Sequence, residues 1–91
     1  MTTFDEIADL QEKLDTDDVA QKRYLMFHIF DKLLDIRLST EDSQIQRVER
    51  LGRLKDIDGY MYKLSQDFLT FSSTMKKKNK LEKIIGYVEK T

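Results

Sequence analysis

The sequence predicts an all-α protein, on three observations. Proline is absent from the 91 residues and glycine occurs only at Gly52, Gly59 and Gly86. Strands joined by tight turns need more punctuation than that. Charged residues make up 36% of the chain, a proportion that suits helices with one wet face. Finally, Leu54, Ile57, Met61, Leu64, Phe68, Phe71 and Met75 recur at alternating spacings of three and four, which is a heptad seam. The expected architecture is a three- or four-helix bundle in a single domain, 1–91. It has one long helix, with room for a kink, and a coiled-coil-like seam.

The first helix is expected over about 4–14. Thr3-Phe4-Asp5-Glu6 has the spacing of a capping box. Phe4, Ile7, Leu10 and Leu14 then fall on one stripe. Asp15-Thr16-Asp17-Asp18 interrupts the pattern and offers the next N-cap. A second helix follows over 18–38. Stepped at about 100° per residue, Val19, Leu25, Met26, Phe27, Ile29, Phe30, Leu33, Leu34 and Ile36 cover more than half its circumference. A helix apolar over so wide an arc has neighbours on several sides, so it is the central one.

Ser39 or Thr40 is expected to cap a third helix over 41–72. It opens with Ile45, Val48 and Leu51, which lie on the side opposite the later seam. Either the helix breaks or kinks between Leu51 and Gly59, where Gly52 and Asp58-Gly59 sit, or it stays continuous and buries both faces. The seam keeps its phase past Gly59, which favours continuity. Thr70, Ser72, Ser73 and Thr74 are weak helix formers and end it. A last helix over 75–89 carries Leu81, Ile84, Ile85 and Val88.

The charges are segregated. Residues 1–18 hold seven acids against Lys13, a net of −6, whereas residues 76–91 hold six lysines against two glutamates, a net of +4. Helix-dipole bias accounts for such an arrangement, and so does attraction between the two ends. No apolar run approaches the roughly 18 residues of a membrane span. The acidic start is not that of a signal peptide, and no membrane contact is expected. The expected location is the cytoplasm.

No cysteine is present, so neither disulfides nor thiolate-bound zinc reinforce the fold. A chain this short buries only about 60–65% of its unfolded surface, and self-association is the common remedy. A helix over 41–72 would be about 45 Å long and would overhang its shorter neighbours. The Leu54, Ile57, Met61, Leu64, Phe68, Phe71 and Met75 ridge is therefore the expected interface of a homodimer or higher oligomer.

Chemistry is sparse. His28, the only histidine, shares a polar stripe with Tyr24, Asp31, Lys32 and Asp35. His28, Asp31 and Asp35 have a spacing that could converge on a metal but lack a further ligand. No metal, cofactor or catalytic residue is expected. Arg23, Arg37, Arg47 and Arg50 match no defensible pattern for gripping a dicarboxylate. The expected function is that of a small non-enzymatic regulatory or adaptor protein, working by contact with another protein. The alternative is a nucleic-acid-associated factor. Its phosphate contacts would come from Arg47, Arg50 and Arg53, spaced three apart, and from Lys76, Lys77, Lys78, Lys80 and Lys83.

Overall fold

A computed structural model describes residues 3–38 and 49–90, and these are all-α. The helices are α1 (Thr3–Lys13), α2 (Val19–Leu38), α3 (Arg50–Ile57), α4 (Gly59–Thr70) and α5 (Thr74–Lys90). The expected cap at Ser39 or Thr40, the expected start at 41, and Arg47 lie outside the described residues.

Local sequence explains each described boundary. Leu14 and Asp15 close α1 with short backbone bonds to Gln11 and Glu12. The Asp18 carboxylate accepts the Gln21 N–H at 3.2 Å, so Asp18 caps α2 as its residue type favours. Ser73 performs the same service for α5, its hydroxyl oxygen accepting the Lys76 N–H at 3.4 Å. Glu6 receives the Lys32 ammonium at 2.8 Å, which pins α1 to α2. The hydrogen bond, then the charge of Lys32, hold the Glu6 carboxyl below its ordinary range.

The helix expected over 41–72 is two helices where it is described, and this corrects the continuous reading. Asp58 sits between them in a non-helical conformation, φ −146° and ψ 87°. Its N–H still closes α3 on Leu54 O, while its carboxylate opens α4 by accepting the Met61 N–H at 3.0 Å. One residue thus ends one helix and caps the next. The break consumes a single position, so the three-four spacing runs across it and imitates one rod.

α2 is the central helix. α1 packs back along it, and α5 runs parallel to it. Arg23, near the start of α2, reaches Thr74 and Ser72 at the start of α5. Arg37, near the end of α2, shares Asp58 with Tyr87 near the end of α5. α4 and α5 form a hairpin, with Tyr60 against Tyr87 at one end (ring centres 4.8 Å) and Lys77 on Phe68 O at the other. α3 joins through Arg50, paired with Asp31 and Asp35 of α2.

The core is drawn from all five helices. Ile7, Met26, Ile29, Leu33, Leu54, Met61, Phe68, Leu81 and Ile84 are nearly inaccessible. Phe68 lies between Phe27 (5.5 Å, edge-on) and Phe30 (5.0 Å). The apolar ridge therefore faces inward. Leu54, Met61, Leu64 and Phe68 are buried, Ile57 and Phe71 are half-buried, and only Met75 lies open. The ridge is thus not too long for its own chain to cover. The bend at Asp58 sets α3 against α2 and α4 against α5, so the chain's own helices cover the ridge. No second copy is needed to shield the six inward members.

Candidate functional site

The wide apolar arc of α2 is not wholly used by the core: Phe27 remains 42% exposed. On the polar stripe beside it Tyr24 is 69% exposed and His28 is exposed as well. One turn apart on a helix, residues i and i+4 lie side by side, and the Tyr24 and His28 rings stack at 6.3 Å with planes 5° apart. Beneath this strip runs a groove of about 400 Å³, bounded by α2 residues on one side and by Arg50, Leu51 and Leu69 on the other. Phe30 and Leu34 form its apolar floor.

The charges of the groove are paired with one another. Arg50 bonds to Asp31 and to Asp35, which places a fixed ion pair at one end of an otherwise aromatic and aliphatic trough. Such a trough takes up an apolar or aromatic side chain, with polar groups at the end to fix its orientation. Tyr and Phe are well suited to this, since each presents a large rigid area at small cost in conformational freedom.

Phe27 joins the strip to the interior. Its ring meets Phe68 on one side and the Lys77 ammonium at 5.2 Å. Lys77 is buried, and its Nζ donates to Phe68 O at 2.7 Å and to Leu69 O at 3.4 Å. It thereby closes carbonyls that the end of α4 leaves without helical partners. Burial, and secondarily the charge of Arg23, push its ammonium below the ordinary lysine range.

The residues expected to meet nucleic acid are divided. Arg47 lies outside the described residues. Arg50 is committed to two aspartates, Lys77 to the end of α4, and Lys80 to Asp67 at 3.3 Å. Arg53 is exposed on α3, and Lys76, Lys78 and Lys83 are exposed on α5. His28, Asp31 and Asp35 do not assemble a metal site. Among the described residues no group of three or more His, Cys, Asp or Glu side chains could hold an ion.

A second polar cluster was not readable from spacing. Asp58, 8% exposed, accepts the Met61 N–H, the Arg37 Nε–H at 3.0 Å and the Tyr87 hydroxyl at 2.7 Å. Burial alone would raise its carboxyl. The bonds from Met61, Tyr87 and Arg37, with the charge of Arg37, outweigh burial and hold it below the ordinary carboxylate range. Its bond to Tyr87, then burial, raises the phenol. Arg37 and Tyr87 stand 21 and 29 residues from Asp58, beyond any local pattern. The cluster is a joint tying α2, α4 and α5 together.

Compared with protein-family models, with curated proteins and with solved structures, the chain matches none. No helix among the described residues is long and apolar enough to cross a membrane.

Proposed function

We propose that this is a small regulatory or adaptor protein, without catalytic activity, that works by binding another protein through the aromatic groove of α2. The observation that supports this reading is the exposed Tyr24, Phe27 and His28 strip over an apolar floor. Exposing such rings costs solubility, and aromatic anchors beside a pocket are what interface centres are built from. The occupant has a matching chemistry: a helical or extended segment presenting an apolar side chain to Phe30 and Leu34, with polar atoms reaching the Arg50 and Asp31 pair. This reading is preferred to nucleic-acid binding because Arg50, Lys77 and Lys80 are occupied within the chain.

The test is differential capture from the native host. Wild type and Tyr24→Asp serve as baits, with Met75→Asp as a surface control away from the groove. The expected result is a defined protein retained by wild type and Met75→Asp and lost with Tyr24→Asp. Equal recovery by all three, or recovery of nucleic acid that falls steeply with salt, would overturn the assignment.

A further inference from the structure

Where Phe27 and Leu69 line the groove, its walls belong to helices whose backbones stand apart. No Cα of α2 comes within 8 Å of a Cα of α4. Side chains bridge the space between them. Phe68 of α4 meets Phe27 and Phe30 of α2, and Lys77 reaches in from α5. Lys77 is 5% exposed, and its ammonium touches both walls. On the α2 side it lies 5.2 Å from the centre of the Phe27 ring. On the α4 side it lies 5.0 Å from the centre of the Phe68 ring and donates to the Phe68 and Leu69 carbonyls.

We infer that Lys77 is the tie that fixes the width of the groove, an inference that rests on the groove being the binding site. Close helix packing defines a separation through interlocked side chains, and α2 and α4 lack it. Apolar contact alone is non-directional, so the Phe27 and Phe68 rings could meet at more than one spacing. A buried ammonium is less tolerant. Out of water it needs its acceptors and its ring faces at close range. The two carbonyls anchor it to the end of α4, where the helix dipole favours a cation. The Phe27 ring, drawn to the same charge, is thereby set at one distance from Leu69. Arg23, the neighbouring cation, is bonded to Thr74 and to Ser72 O instead. Lys77 is a positioning residue: it meets an occupant only through Phe27 and Leu69. A site held ready in this way binds without the cost of ordering its walls.

Lys77→Met keeps an unbranched side chain and removes the charge. The chain has no cysteine, so nitroxides on Gln21→Cys and Gln66→Cys report the separation of α2 and α4 without background. Both positions are exposed and lie outside the groove. Double electron–electron resonance is expected to give one narrow distance distribution, which broadens with Lys77→Met. Phe27→Leu leaves the carbonyl bonds of Lys77 in place and should broaden it too, with the double variant no broader than Lys77→Met alone. Ile7→Ala lowers stability from α1, which packs on α2 and not on α4, and should leave the distribution narrow. Indole is the probe of the groove itself, read through the methyl resonances of Leu34, Leu51 and Leu69. Its affinity should fall several-fold with Lys77→Met and hold with Ile7→Ala. A distribution that stays narrow in Lys77→Met or in Phe27→Leu, or equal broadening by Ile7→Ala, would overturn the tie, as would undiminished indole binding. Phe27 is half-exposed, so Phe27→Leu decides the question if Lys77→Met does not fold. Wild type that takes up no indole would count against the groove reading, and the distances would still judge the tie.

Discussion

Removing the Asp58 carboxylate should loosen the joint at which three helices meet. The side chain has three separable duties. As N-cap of α4 it holds the Met61 N–H at 3.0 Å, and loss of such a cap costs about 1 kcal/mol. It accepts Arg37 Nε–H at 3.0 Å. A hydrogen bond to a charged group contributes about 1.5–3 kcal/mol. The Arg37 side chain is 30% exposed, so water recovers part of that and about 1 kcal/mol is the better figure. The Tyr87 hydroxyl, half-buried, loses an acceptor at 2.7 Å, worth about 1 kcal/mol. Asp58→Ala should therefore destabilise the protein by about 3 kcal/mol, less whatever the three bonds share by meeting on one carboxylate.

That is a large fraction of what a chain of this size possesses, about 5–14 kcal/mol at the usual stability per residue. Urea denaturation followed by far-UV circular dichroism measures it, with the slope held common between variants. Melting should fall by roughly 12–24 °C. A graded series separates the duties. Asp58→Ser keeps an oxygen for the Met61 N–H but reaches neither Arg37 nor Tyr87, and should cost about 2 kcal/mol by the same reckoning. Asp58→Asn keeps the cap through Oδ1, but its NH2 stands where Oδ2 accepts from both Arg37 and Tyr87, so it should cost at least as much as Asp58→Ser. If Asp58→Ala falls within about 0.5 kcal/mol of wild type, the range expected of an ordinary surface change, the joint is not structural. If Ser and Ala are equally damaging, the cap contributes nothing and the bend at Asp58 needs another cause.

The same cluster makes stability depend on pH from both sides. The Asp58 carboxyl is depressed in the folded state, so its contribution is present above the unfolded value of about 4 and is lost as pH falls through the folded value. The Tyr87 phenol is raised, so its contribution is present below about 10 and is lost as pH rises through the folded value. Melting curves across pH should show both limbs. Asp58→Asn should flatten the acid limb, Tyr87→Phe the alkaline one, and unchanged limbs would refute the link. Substitution along the ridge should separate core from surface. Phe68→Ala should cost about 3–5 kcal/mol, because its ring is inaccessible and sits between Phe27 and Phe30. Met75→Asp should change the stability of the folded monomer by less than about 0.5 kcal/mol. Comparable losses in the two, read by urea denaturation at high salt, would mean that the ridge is not divided between inside and outside.

The all-α class was legible because absent proline, scarce glycine and repeated three-four spacing are local facts. What the spacing could not reveal is direction. Leu54, Met61, Leu64 and Phe68 would look the same whether they faced a second chain or their own α2 and α5. The deciding residue is Asp58, which the sequence marks, with Gly59, as one of two places for an interruption; what selects it is a carboxylate that takes the Met61 N–H, Arg37 and Tyr87 together. Once α3 and α4 part there, the ridge shortens and the chain covers it. The candidate groove was half legible in the same sense. Tyr24 and His28 stood out on the polar stripe of α2, but Phe27 looked like core. Only folding brings Arg50, Leu51 and Leu69 opposite them. The hydrophobic count of a short chain thus argues for burial and leaves the burying partner open. The residues that answer that question are the ones periodicity predicts to be inside and the fold leaves outside, here Val19, Phe27 and Met75.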